Sequence, residues 1–111
     1  MNPNGPDLPP RKAVRDKIPE IIRNSGEECQ TKVLSDEDFY EVMKEKLTEE
    51  VEEYLADPCP EELADIIEVI YRLAAHEGIS VEELEEVRLR KRKERGGFEG
   101  NVFLCSPGES E

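Results

Sequence analysis

The chain has no tryptophan and its aromatic residues amount to 5%, so Leu, Ile and Val must supply most of the packing. It has a single histidine, His76, following an apolar stretch near a predicted helix end. With no nucleophile or orienting partner beside it, a surface or helix-end role is favoured over catalysis. The three cysteines, Cys29, Cys59 and Cys105, are odd in number, widely spaced and without histidine neighbours. That pattern fits neither a disulfide framework nor a zinc site and leaves ordinary thiols. No apolar run approaches the length of a membrane span, and the stretch MNPNGPDLPP lacks the apolar centre of a signal peptide, so a cytoplasmic protein is expected. Positive charge is scarce, with 15 Lys and Arg against 28 Asp and Glu. The resulting net charge of -13 disfavours nucleic-acid polymers and anionic membrane surfaces and points to cations as partners. Gly-rich phosphate loops of the GxGxxG or Walker type are absent as well.

What is present reads as one mainly α-helical domain. Its 111 residues allow an adequate but not generous core. Residues 1–11, with four prolines and a glycine, are expected to be a disordered tail, residues 12–105 the folded domain and residues 106–111 a flexible C-terminal tail. A short first helix is predicted with Asp16 as its cap, Pro19 in its first turn and Ser25-Gly26 at its end. Three longer helices follow. The first starts at the N-cap Ser35 and runs to about Ala56, the second starts at Pro60 and stops at Gly78, and the third opens on the capping box Ser80-Val81-Glu82-Glu83 and ends at Gly96-Gly97. TKVL, residues 31–34, alternates like a strand, and NVFL, residues 101–104, is its candidate mate in a small two-stranded ribbon. The fold class is therefore all-α, an antiparallel helical hairpin or bundle with this one ribbon.

The acids of two helices hold the functional signal. At about 100° per residue, Glu50 falls inside the apolar arc of the first long helix, between Phe39 and Met43, and Glu53 falls between Phe39 and Val42. Glu52 projects to solvent and Glu49 sits at the edge. On the second long helix, Glu62 lies between Val69 and Leu73, with Asp65 on the same flank. Each helix thus turns an i, i+3 pair of carboxylates inward. Folded back across the turn Asp57-Pro58-Cys59-Pro60, facing positions share a constant sum of residue numbers, which sets Glu53 opposite Glu62 and Glu50 opposite Asp65. Burial and mutual repulsion both oppose ionisation of such a group, so a cation is needed among them. Oxygen-only ligands without Cys or His suit Mg²⁺, or Mn²⁺, rather than zinc.

A second signal is basic. Lys91 and Arg95 are one turn apart in RLRKRKERGGF, residues 88–98, and share a face from which both can reach phosphate oxygens, whereas Lys93 projects away. Arg15 and Lys17 form a second basic pair that can clamp a substrate anion, although dipole complementation and surface charge explain such residues too. The second long helix is apolar over more than half its circumference, which predicts a homodimer or homotetramer with helices packed between subunits.

EEVEE (Glu49, Glu50, Glu53) followed by ELAD (Glu62, Asp65) resembles the EExxE and ExxD motifs of the all-α nucleoside triphosphate pyrophosphohydrolases, the MazG-like superfamily. VRDKIPEII and KRKERGGF resemble the small stand-alone branch related to phosphoribosyl-ATP pyrophosphohydrolase, and the likeness spans roughly residues 12–104. The spacing between Glu53 and Glu62 is shorter than that superfamily's, and Ala13 stands where a bulkier apolar residue is expected. The resemblance implies Mg²⁺-dependent hydrolysis of a nucleoside triphosphate between its α and β phosphates, giving a monophosphate and pyrophosphate, as in house-cleaning of nucleotide pools. It implies metal ligands at Glu50, Glu53, Glu62 and Asp65 and a supporting carboxylate at Glu49 that orients or deprotonates the attacking water, with the proton acceptor left open. Two alternatives are a phosphoribosyl-ATP pyrophosphohydrolase, using the same cluster with a different base and ribose pocket, and a non-catalytic acidic helical module that binds a basic protein. The module would turn Glu50 and Glu53 outward.

Overall fold

A computed structural model describes residues 12–108; the expected N-terminal tail and residues 109–111 lie outside them. Among the described residues there are four helices and no strand: α1 (Ile18–Asn24), α2 (Asp36–Ala56), α3 (Pro60–His76) and α4 (Val81–Arg95). Local chemistry explains the boundaries. The Asp38 and Glu83 amides donate to the Ser35 and Ser80 hydroxyls, both at 3.1 Å, and the Ser80 amide donates to Glu83 Oε1 at 3.0 Å, completing the capping box. Pro60 opens α3, where a missing amide costs nothing. At its far end Gly78 takes φ +78, so that the Ile79 amide reaches Ala74 O at 2.8 Å and the Gly78 amide reaches Ala75 O at 3.0 Å. The chain reverses there because glycine enters the left-handed region without a Cβ penalty.

Two expectations are corrected. The cap position of α1 is Lys17, without a side-chain cap bond, and not Asp16; Pro19 in the first turn fixes the start and no side-chain acceptor is used. The ribbon does not form. Val33 is fully exposed and Val102, Phe103 and Leu104 nearly so, with no backbone bonds between the two segments. Alternation shows that a segment tolerates a strand, but a two-stranded ribbon needs a packed face to be stable, and no helix lies over this one.

The core lies between α2 and α3. Met43 and Val69 are buried together with Ala13, which the segment before α1 lays across the hairpin, and Phe39, Val42, Leu47 and Leu73 pack around them. The small Ala13 fits this covered spot. The helices run antiparallel: Arg72 pairs with Asp36 at 3.8 Å, the His76 ring meets Tyr40 at 5.3 Å and Phe39 at 6.2 Å, and Glu50 meets Glu62 and Asp65 at the other end. His76 is thus the last residue of α3, tucked against two rings. Contacts at both ends obey one register, as the turn at 57–60 dictates. α4 packs against α3 and not against α2, and α1 packs against none of the other helices. The result is elongated, 59 × 33 × 25 Å, with a radius of gyration of 19.2 Å, where a compact domain of this length has about 13 Å. No described helix is long and apolar enough to cross a membrane.

Candidate metal centre

Glu50 lies two turns from the end of α2, on the side that meets α3, and is 5% exposed. It is buried because the hairpin register leaves it no other place: Leu47 and Met43, one and two turns earlier on the same stripe, enter the core. The acids fall into two triads that share it. Glu49, Glu50 and Glu53 offer oxygens within 4.8 Å of one another along α2, and Glu50, Glu62 and Asp65 do so across the hairpin. Burial, with Glu53 adding repulsion, pushes the Glu50 carboxyl above the usual carboxylate range against the pull of Lys46. Glu50 Oε2 and Glu62 Oε2 are buried without a hydrogen-bond partner. Acceptors stripped of water and left unpaired are what a cation site requires before it is filled.

Glu53 departs from expectation. It joins Glu49 and Glu50, but its side chain is exposed. It lies about 60° from Glu50 on the helix wheel, at the edge of the buried stripe and within one turn of the end of α2. Leu55 is exposed as well, on the opposite side of the helix. Glu49 is half-buried at the edge, while Glu52, Glu61 and Glu68 point to solvent as their phases require.

Three cations attend the acids, and two were not foreseen. Lys46 Nζ stands 3.2 Å from both Glu49 Oε2 and Glu50 Oε1, and Lys12 Nζ is 3.6 Å from Glu49 Oε1. Burial weighs against the Lys46 charge, but the bonds to Glu49 and Glu50 outweigh it and hold the ammonium above its ordinary range. Its signal was present in the sequence as i, i+3 and i, i+4 spacing to Glu49 and Glu50. Lys12 gave none, since its approach depends on the tertiary path of residues 12–15. Arg15, expected on substrate phosphate, instead donates from Nη2 to Asp65 Oδ1 at 2.5 Å, and this bond raises its pKa. With every group ionised, five carboxylates stand against Lys12, Arg15 and Lys46. The deficit of two charges equals one divalent ion.

The remaining predicted phosphate ligands are elsewhere. Lys91 and Arg95 line a hollow of about 750 Å³ at the end of α4, with Arg88, Arg92 and Phe98. Arg92 is drawn to Glu99 at 2.8 Å, and a Cβ at Gly97 would meet only the flexible, exposed ends of these two side chains, which can move aside. Lys17 is the exposed cap residue of α1. Within one chain, none of the five acids lines the basic hollow. All three cysteines are free thiols. No family model matches the chain, and searches of curated proteins and of solved structures likewise return no match.

Proposed function

We propose that the protein is a Mg²⁺-dependent nucleotide pyrophosphohydrolase of the MazG-like kind, cleaving a nucleoside triphosphate between the α and β phosphates. One observation carries the reading: a buried carboxylate, Glu50, with an unpaired oxygen, set by the hairpin against the equally unpaired Glu62 and the nearby Asp65. A binding module would have turned both Glu50 and Glu53 to solvent; Glu53 is exposed, and the burial of Glu50 is what favours the metal reading. Glu50, Glu62 and Asp65 would hold the ion, with Glu53 adding charge at the rim. When bound, Mg²⁺ supplies Lewis-acid polarisation of a phosphate oxygen and lowers the pKa of coordinated water.

The chain's own groups do the rest. Glu49, at the edge of the cluster, accepts or orients the proton of the attacking water while Lys12 and Lys46 fix both its oxygens. Arg15 shields Asp65 until the ion arrives and is then free to meet the substrate anion. Lys91 and Arg95 bind the outer phosphates, and Phe98 offers a fully exposed ring on which a base can stack. These parts stand on an arm of α4 that touches only α3, so a second chain is required to bring cations to the acids. The elongated shape and the open apolar face of α3 (Leu63, Ile67, Ile70 and Tyr71) support a homodimer or homotetramer.

The reading is tested by incubating the protein with a panel of nucleoside triphosphates and phosphoribosyl-ATP, with Mg²⁺ or with EDTA, and resolving the products. Monophosphate and pyrophosphate appearing only with Mg²⁺ is the expected outcome. Diphosphate and orthophosphate, or no turnover of any nucleotide, contradicts it.

A further inference from the structure

Two triads sharing one carboxylate could take two ions or one. We infer that Lys46 is a tethered cation that occupies the Glu49–Glu50–Glu53 triad, so that the centre accepts a single divalent ion, at Glu50, Glu62 and Asp65. The inference rests on the metal reading above and adds to it the number of ions and the residue that sets it.

The geometry distinguishes the two protein cations. Lys46 reaches Glu49 Oε2 and Glu50 Oε1 from one helical turn earlier on the same helix, and its side chain is only 16% exposed. Helix α2 therefore holds the ammonium in place without any loop having to move, and leaving would mean rotating its aliphatic stem out of packed surroundings. Arg15 comes from irregular backbone, with a side chain 54% exposed, onto an Asp65 that is itself partly exposed. Such a pair is weak and gives way to an incoming ion at little cost. The free acceptors follow the same division. Glu50 uses Oε1 on Lys46 and leaves Oε2 unpaired, and the second unpaired oxygen, Glu62 Oε2, belongs to the cross-hairpin triad. A dication in the first triad would have to share Glu49 and Glu50 with the ammonium, at a distance where two positive charges in a partly dry site repel strongly. In the second triad it shares only Glu50 with the ammonium, through the oxygen that Lys46 leaves unpaired, and displaces an arginine that can swing away.

The test is the stoichiometry of Mn²⁺ binding to the metal-free protein, read by electron paramagnetic resonance of free Mn²⁺. One ion per chain is expected for the wild type and for Lys46→Arg, which keeps the charge, and two for Lys46→Met. Circular dichroism confirms that each variant is folded. Two ions in the wild type, or one in a folded Lys46→Met, overturns the inference and leaves the metal reading standing. No Mn²⁺ bound by the wild type removes the metal reading and this inference with it. Should Lys46→Met not fold, Glu53→Gln decides, because a ligand of the first triad alone lies outside the occupied site. Its one-ion affinity is expected to fall by less than about tenfold, and any larger loss overturns the inference.

Discussion

Without divalent ions, Glu50→Gln is expected to melt above the wild type by about 5 °C, and with Mg²⁺ it is expected to turn over nucleotide at least about 100-fold more slowly. Both effects come from the same buried oxygen pair. In the metal-free fold burial works against the Glu50 charge, so an uncharged amide of equal size fits the site better, while Lys46 keeps its bond to Glu49. With metal, the amide withholds the ligand charge on which the ion depends. The sign with pH follows. Because the folded-state pKa is raised, the folded chain holds this proton where the unfolded chain has released it, and stability falls as pH rises from the ordinary carboxylate value through the raised one. The gap in melting temperature between Glu50→Gln and wild type in EDTA therefore widens between about pH 5 and about pH 7.5, and Mg²⁺ closes it by stabilising only the wild type. Scanning fluorimetry at both pH values, with an assay of pyrophosphate release, measures all of this. A variant that melts lower than wild type in EDTA, or that retains wild-type turnover, contradicts the role given to Glu50.

The second large effect concerns the open face of α3. Ile67→Asp is expected to reduce the solution mass measured by light scattering to that of one chain. Ile67 lies mid-helix, with Leu63 and Tyr71 one turn away on either side, on the face turned from α2. A carboxylate buried there without a partner costs several kcal/mol, and about 3 kcal/mol weakens association by roughly 100-fold. Turnover falls with the mass, since the cations of α4 do not reach the acids within one chain. Glu86→Gln, an exposed change on α4, leaves the mass unaltered. A wild-type protein that is a monomer at every concentration contradicts the arrangement.

Much of the fold was legible because it is set locally. Ser35, Pro60, Gly78 and Ser80 each satisfy or remove backbone groups within a turn of themselves, so α2, α3 and α4 start and stop where those residues stand. The inward direction of Glu50 was legible for a related reason, since a helix phase and a short turn leave one register. What was not legible is what covers a surface. Glu53 has the phase of a residue at the edge of the apolar arc but is exposed in the last turn of α2, and TKVL has the alternation of a strand but nothing lies over it. The approach of Lys12 and Arg15 to the acids is tertiary, set by the path of residues 12–15 over the hairpin, and spacing does not encode it.

The most direct measurement is a crystal of the wild-type protein grown with Mn²⁺, with anomalous scattering recorded near the manganese edge. A single anomalous peak touching carboxylate oxygens of Glu50, Glu62 and Asp65, with Arg15 withdrawn from Asp65, is the result predicted. A hairpin with the same acids in place, Arg15 still on Asp65 and no anomalous signal among them at saturating Mn²⁺, would contradict the account.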